Sequence, residues 1–169
     1  MNLGFDLLPS QCDVLVVGAG PAGSAAAITL ARAGVDVVLV DSHAFPREKV
    51  CGDGLIPDAH HALRRLGVLD EVMAQAQPVT HAGLVAWRGG RVDVPGTLAV
   101  LPRRELDDIV CRAAVRAGAR MHAPARFVAP LEVDGVVVGA QLSQGESTRE
   151  MRCRWLLLAT GAVPQALIA

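Results

Sequence analysis

Apolar residues near the start of the chain form a short run, a longer segment and a second short run. Residues 14–17 are continuously apolar and end at Gly18, which is typical of a strand buried on both faces. Residues 22–33 are almost all small or apolar and precede a glycine, which predicts a helix with a glycine C-cap. Residues 35–40 form a β-branched run that ends at Asp41. This order predicts one βαβ unit.

Further along the chain, the hydrophobic pattern changes between helical and strand-like spacing. Helical spacing is clearest where Leu106, Ile109, Val110 and Ala113 recur ahead of a glycine. Short alternating runs separated by glycine-containing turns predict antiparallel strands. The expected elements are a helix at 58–66, a hairpin at 81–95, a helix at 104–117, meander strands at 127–133, 136–142 and 148–153 with turns at 134–135 and 144–145, and a buried strand at 155–159.

These elements predict an α/β fold with a central parallel sheet, flanking helices and an antiparallel β-meander as a crossover. Strands 13–18, 35–40 and 155–159 are expected to be neighbours, with the meander of residues 127–153 packed on one face. No repeat, low-complexity tract or linker divides the chain, so we expect one domain over residues 1–169.

The junction between the first strand and the first helix has the sequence GAGPAG at residues 18–23, a GxGxxG motif. In a dinucleotide site the first glycine permits the tight turn, the second lets the backbone approach the pyrophosphate, and the third lets helix and strand pack closely. The free N–H groups of the first helical turn then face the phosphates, aided by ~0.5 unit of positive charge. Pro21 suits this turn, where an N–H has no helical partner.

Asp41 makes the motif more specific because it ends the next strand, where a carboxylate can accept hydrogen bonds from both ribose hydroxyls. Its charge would repel a 2′-phosphate, so NADP is disfavoured at this site. The alternative is that the glycines serve only a tight turn, but the agreement of strand, helix and acid favours a nucleotide. The predicted nucleotide-binding residues of this region are Gly18, Ala19, Gly20, Pro21, Ala22, Gly23, Asp41 and Ser42.

Residues 13–41 and the following segment 45–55 (FPREKVCGDGL) resemble the geranylgeranyl reductase branch of the FAD-dependent oxidoreductases. That branch is similar to the aromatic-hydroxylase monooxygenases and the flavin-dependent halogenases. The resemblance extends through essentially the whole chain, and its Lys-x-Cys-Gly-x-Gly pattern is more selective than the glycine motif. It implies a Rossmann-like FAD-binding domain with FAD as cofactor.

The resemblance also implies further contacts with FAD. In the family an arginine three residues before a Phe/Leu-Asp pair opens a helix and reaches the cofactor, and Arg103 matches that spacing. The alternative is a solvated arginine at a helix start, as Arg104 beside it suggests. Phe127 matches a residue whose backbone meets the adenine, and Gly161 lies in the motif that ends the last Rossmann strand.

Cys51 and Gly52 belong to a loop that lies near the isoalloxazine in the family, so the resemblance places them beside the reacting ring. The alternative is a turn that needs glycines, with a small buried thiol. Arg47 and Lys49 of the same loop could meet phosphate charge, but exposed loop cations are the commoner explanation.

Two departures from the family limit the functional prediction. The family usually ends its last Rossmann strand with Ala-Asp-Gly, whereas this chain has Ala159, Thr160 and Gly161, which disfavours monooxygenase chemistry. The family also continues with a second FAD motif and a substrate-covering sheet. We therefore expect an incomplete, N-terminal part of a longer enzyme, with no catalytic residue assigned and no turnover from these residues alone.

The resemblance implies an FAD-dependent oxidoreductase that takes a hydride from NAD(P)H and passes it through the flavin to an isoprenoid or related small apolar substrate. Alternatives are a relative of the flavin monooxygenases and halogenases, or a dinucleotide-binding fragment without turnover. An NAD-binding domain of a dehydrogenase is disfavoured, because it would continue with βα units rather than a meander.

Composition narrows the possible partners and cofactors. A net charge of −1 and an aromatic content of 3% argue against nucleic acid. The four cysteines form no CxxC pair, and His60 and His61 are adjacent in a helix and point apart, so no metal site is expected. No signal peptide is evident, which predicts a cytoplasmic protein. Peripheral contact with a membrane is compatible with a cytoplasmic location. The apolar residues 155–158 favour self-association.

Overall fold

The computed structural model describes residues 3–162. The chain forms two compact units, one made of the residues up to Arg47 together with those from Val110 onward, and the other made of Glu48–Ile109. After a short 3-10 turn at Phe5–Leu7, the elements in chain order are β1 (Gln11–Val17), α1 (Pro21–Arg32), β2 (Val37–Val40), β3 (Gly54–Leu55), α2 (Pro57–Arg65), α3 (Leu69–Met73), β4 (Gln77–Val85), β5 (Arg91–Val100), α4 (Arg103–Arg116), β6 (Arg120–His122), β7 (Arg126–Val133), β8 (Val136–Gln144) and β9 (Ser147–Leu158).

The first unit contains a six-stranded sheet in the order β6-β2-β1-β9-β8-β7. β1 lies between two parallel partners, with Val14 opposite Val37 of β2 and Trp155 of β9. The prediction that these three strands are neighbours is therefore confirmed. β6 adds a further parallel strand beside β2 that the sequence pattern did not predict.

β9 corrects the expectation of two separate strands at 148–153 and 155–159. It is continuous, pairing antiparallel with β8 through residues 147–152 and parallel with β1 through residues 152–158. No glycine or proline interrupts this stretch, so the extended backbone passes from the meander into the parallel sheet.

The meander strands β8 and β7 continue the six-stranded sheet beyond β9, and their buried side chains share a hydrophobic cluster with the parallel strands. Ala140, Leu142 and Met151 belong to the same hydrophobic cluster as Leu15 of β1 and Val38 of β2. α1 packs on β1 and β2, where its Ala27 and Ile28 are fully buried.

The second unit holds a three-stranded antiparallel sheet in the order β3-β5-β4, together with α2 and α3. The hairpin predicted at 81–95 is present but longer, and Gly89 has a positive φ of 88° in its turn. α2 begins one residue earlier than predicted, with Pro57 in its first turn. α3 was not predicted, because five residues are too few to show a helical period.

Candidate functional site

The turn between β1 and α1 explains two glycines of the motif from the fold itself. Gly18 has a φ of 100°, its N–H donates to the Val40 carbonyl at 2.7 Å, and a Cβ there would collide with the carbonyl of Ala159. A Cβ on Gly23 would overlap the carbonyl oxygen of Gly18. Both positions therefore need glycine whether or not a nucleotide binds.

Gly20 differs from these two glycines. Its φ is −68° and its ψ is −174°, an extended conformation open to any residue. A Cβ there would find its nearest neighbour, an Arg47 nitrogen, at 3.6 Å, which is ordinary van der Waals contact. The backbone conformation and the surrounding protein atoms therefore do not by themselves require glycine at this position.

The first turn of α1 is fixed by short local hydrogen bonds. Pro21 occupies the first turn, and the Ser24 N–H donates to the Gly20 carbonyl at 2.9 Å. The Ser24 hydroxyl donates to the Ala19 carbonyl at 2.9 Å, which fixes the turn from within. The first N–H groups of a helix have no helical acceptor, so those of this turn are available to phosphate oxygens.

Asp41 follows β2 and is 7% exposed. Its Oδ2 accepts from the Ala19 N–H at 2.9 Å, and its Oδ1 accepts from the His43 N–H at 3.0 Å. The carboxylate is thus tied directly to the glycine turn. A carboxylate offers about four lone-pair positions, so both oxygens can still accept from hydroxyl groups.

Arg47 lies at the same place and corrects the prediction of an exposed loop cation. Its side chain is 13% exposed, one guanidinium nitrogen lies 3.6 Å from Asp41 Oδ2, and its guanidinium carbon lies 4.9 Å from the centre of the Phe45 ring. The sequence contained one usable signal, a cation close behind the acid that ends β2. Lys49, by contrast, is exposed as predicted.

Three further residues of the first unit that were predicted to contact the cofactor differ in their burial and their neighbours. Gly161 follows β9 with a φ of 73°, next to Thr160, whose Cα borders Gly18. Ser42 is exposed and its hydroxyl lies 3.0 Å from the His43 ring. Phe127 of β7 is partly buried and packs against the hydrophobic cluster that contains Leu15 and Met151.

Arg103 begins α4 in the second unit, and its side chain is 14% exposed rather than solvated. Its Nε and Nη2 donate to the two carboxylate oxygens of Asp107 at 2.8 and 3.1 Å, and that carboxylate is fully buried. The hydrogen bonds to Asp107, together with a smaller contribution from Cys51, raise the pKa of Arg103. This bidentate pair fixes the direction of the guanidinium.

Cys51 is exposed, which contradicts the alternative of a small buried thiol. Its loop is fixed through Asp53, whose side chain accepts from the Arg103 N–H at 3.1 Å and whose carbonyl accepts from the Leu101 N–H at 3.0 Å. Asp53 and Asp107 were not singled out from the sequence, because their roles depend on contacts made only in the fold. Gly52 has open space around its Cα.

Metal ligands and membrane-spanning helices were sought over residues 3–162. That range contains no group of three or more His, Cys, Asp or Glu side chains placed to hold a metal ion. The helices of the same range are too short or too polar to cross a bilayer.

A family described as FAD binding domain matches residues 11–165. The menaquinone reductase of Mycobacterium tuberculosis is 43% identical over 161 residues, which cover 90% of this chain and 38% of that protein. A digeranylgeranylglycerophospholipid reductase of Methanopyrus kandleri is 35% identical over 152 residues, which cover 89% of this chain and 38% of that protein. The chain therefore spans well under half the length of these curated relatives.

Solved structures give the same fold. A myxobacterial chondrochloren halogenase aligns with a TM-score of 0.84 at 25% identity, covering 94% of this chain and 40% of the halogenase. A geranylgeranyl bacteriochlorophyll reductase-like protein from Thermoplasma acidophilum aligns with a TM-score of 0.73 at 21% identity, covering 95% of this chain and 44% of that protein. The second likeness is one of fold alone.

Proposed function

The chain belongs to the FAD binding domain family, and from that premise we propose that its glycine turn and Asp41 hold the ADP half of FAD. The observation that carries the proposal is Gly20, which the fold leaves free to be any residue but which has no side chain. The absence of a Cβ leaves room for a pyrophosphate directly above the first turn of α1.

Each part of the turn has a physical task in this proposal. The free N–H groups at the start of α1 donate to phosphate oxygens, and the helix dipole adds ~0.5 unit of positive charge. Asp41 accepts from the ribose hydroxyls while its contact with the Ala19 N–H keeps it beside the turn. A 2′-phosphate would meet this carboxylate with like charge, so FAD and ADP bind in preference to NADP.

The remaining predicted contacts involve both halves of the cofactor. We propose that Arg103, Cys51 and Gly52 border FAD, and that Ser42, Phe127 and Gly161 contribute smaller contacts. Arg103 suits such a role because Asp107 fixes its guanidinium, so its remaining N–H groups point in a defined direction.

For the whole protein we propose reduction of an isoprenoid-bearing lipid with NAD(P)H as reductant. When bound, FAD would supply the hydride-transfer chemistry between the nicotinamide and the lipid, and the residues of this chain would hold and orient it. The support is that two similar proteins, at 43% and 35% identity, are named as reductases of menaquinone and of digeranylgeranylglycerophospholipid. Both names denote lipids with isoprenoid chains.

A second candidate is oxygen-dependent chemistry, favoured by the halogenase likeness at a TM-score of 0.84. Thr160 weighs against it, because it stands where the resembled hydroxylases have an aspartate. A nucleotide-binding role without turnover is the third candidate.

Turnover under two atmospheres distinguishes the candidates. The whole protein is purified and supplied with FAD, NADPH and a menaquinone with an unsaturated side chain, with and without dioxygen, and the masses of the products are measured by mass spectrometry. The reductase proposal expects a gain of two hydrogens in both atmospheres. A gain of oxygen only in air would establish the second candidate, and NADPH oxidation with no altered lipid would refute the proposed substrate.

A further inference from the structure

The hairpin of β4 and β5 has an apolar face close to its turn. Leu84 lies opposite Val92, and Ala82 lies opposite Val94. Opposite residues of an antiparallel pair point to the same side of the sheet, as do residues two positions apart along one strand. These four side chains therefore form one continuous group, which we call the apolar strip.

The apolar strip is open to water, whereas the other face of the hairpin carries an ion pair. Leu84 and Val92 are each 62% exposed. On the other face the Arg91 Nε donates to an Asp93 carboxylate oxygen at 2.9 Å, and both side chains border Gly83. An exposed apolar patch with polar residues around it is typical of a surface that contacts an apolar partner.

The turn of the hairpin adds an aromatic side chain and positive charge. Trp87 is fully exposed at the tip, and the exposed Arg88 follows it. The hairpin contains Arg88 and Arg91 but only one acid, Asp93, in a chain whose net charge is −1. Tryptophan is enriched where a bilayer meets water, and arginines near an anionic membrane are attracted to it. The charge of the hairpin thus complements an anionic lipid surface.

From these observations we propose that the β4–β5 hairpin docks on the surface of an anionic bilayer. Trp87 and the apolar strip lie among the headgroups and upper acyl chains, and Arg88 lies beside the lipid phosphates and carboxylates. The choice of a bilayer as partner rests in part on the proposed function, because an isoprenoid-bearing substrate partitions into membranes. The hairpin would bring the protein to the phase that holds this substrate.

Vesicle binding tests the proposal without requiring turnover. The whole protein is mixed with vesicles of equal parts phosphatidylcholine and phosphatidylserine, or of phosphatidylcholine alone, and the bound fraction is measured by sedimentation. Three variants are each compared with a control: Trp87→Ala with Trp155→Ala, Leu84→Asn with Val85→Asn, and Arg88→Gln with Arg64→Gln. Thermal unfolding checks that each variant is folded.

The controls match the variants in residue type and differ in place. Trp155 is an exposed tryptophan of β9, and Arg64 is an exposed arginine of α2. Val85 follows Leu84 in β4 and is also exposed, but it lies opposite Arg91 on the other face of the hairpin. Only contact through the apolar strip should distinguish Leu84 from Val85.

We expect Trp87→Ala and Leu84→Asn each to lower partition onto the mixed vesicles about tenfold, because apolar area is lost from the interface. Arg88→Gln should lower it about fivefold on the mixed vesicles and leave binding to phosphatidylcholine unchanged. The three controls should bind as the wild type does. Equal losses in Leu84→Asn and Val85→Asn would overturn the proposed orientation, and wild-type protein that binds neither vesicle would overturn the docking itself.

Tryptophan fluorescence shows what covers the tip. The emission that Trp87→Phe removes should be quenched by acrylamide in solution and protected by the mixed vesicles. Protection without vesicles would overturn the inference, because the protein itself or a second copy would then cover the hairpin. Reduction of a detergent-dispersed lipid by protein that binds no vesicles would refute the docking and leave the proposed function standing.

Discussion

Asp41 and Arg47 show how much of a site depends on single side chains. The position of the acid follows from the sequence, since it ends a strand that the β-branched run predicts. The position of the arginine does not, because residues 42–46 return the chain toward the glycine turn by contacts that no local pattern contains. Its burial was consequently missed, and the exposed cation expected there was wrong.

Replacing Asp41 should weaken FAD binding by about 1–3 kcal/mol, because a buried charge-assisted hydrogen bond to the ribose is lost. Asp41→Ala and Asp41→Asn are compared by titration with FAD. Asp36→Ala is the control, since Asp36 is exposed before the opposite end of β2 and pairs with Arg120. Affinity that is unchanged in both Asp41 variants would leave the acid a structural role only.

His122 should make the stability of the fold depend on pH. It is 1% exposed, its Nδ1 donates to the Gly4 carbonyl at 3.0 Å, and burial lowers its pKa. The unfolded chain takes up this proton near the ordinary value of about 6.5, and the folded chain takes it up only at lower pH. Between those two values the unfolded state binds more protons, so the free energy of unfolding falls as pH falls.

As pH falls from 7 to the lowered pKa of the folded His122, the free energy of unfolding of His122→Gln should therefore fall less than that of the wild type. Denaturant unfolding at a series of pH values measures the difference. His61→Gln is the control because His61 is exposed on α2. A wild-type slope retained in His122→Gln would assign the acid sensitivity to other groups.

At the scale of elements, β1 and β9 bring two thiols into register. Cys12 lies opposite Cys153 across the parallel pair, and both are 8% exposed. Burial, followed by the neighbouring Cys153, raises the pKa of Cys12 to about 12, and burial raises the pKa of Cys153. Thiolate is the reactive form, so neither thiol should react readily in the folded protein.

A thiol reagent at pH 8 should therefore label one cysteine of the native protein rapidly, the exposed Cys51, and all four after denaturation. Mass spectrometry of labelled peptides identifies the site, and Cys51→Ser should abolish the rapid phase. Labelling of Cys12 at the rate of Cys51 would contradict the burial of the β1–β9 pair.

The elements also show why the sequence predicts some strands and helices and misses others. β1, α1 and β2 were predicted because each carries a clear hydrophobic pattern and glycines mark the junctions. β6 was missed because its three residues, Arg120–His122, include two polar ones, and pairing with β2 makes them a strand. β9 was divided because Arg152 and Arg154 interrupt its apolar pattern, whereas its backbone pairing is continuous.

At the scale of the whole molecule, the resemblance to the geranylgeranyl reductase branch is confirmed by its relatives, and FAD is the cofactor of the family. The prediction of a buried strand at 155–159 is wrong, because none of these side chains is fully covered in the described part of the chain. Trp155 is 70% exposed, and Leu157 and Leu158 are each 39% exposed. Patches of this kind commonly contact another surface.

The central claim, that the glycine turn holds FAD, is tested most directly by Gly20→Val. Its backbone angles allow valine and no protein atom blocks a Cβ, so the variant should unfold within a few degrees of the wild type. The side chain would occupy the path of the pyrophosphate, so FAD affinity should fall by about tenfold or more. Gly96→Val, at a position in β5 where a Cβ would make only ordinary van der Waals contact with Leu98, should bind FAD as the wild type does. Folded Gly20→Val that binds FAD with wild-type affinity would contradict the account.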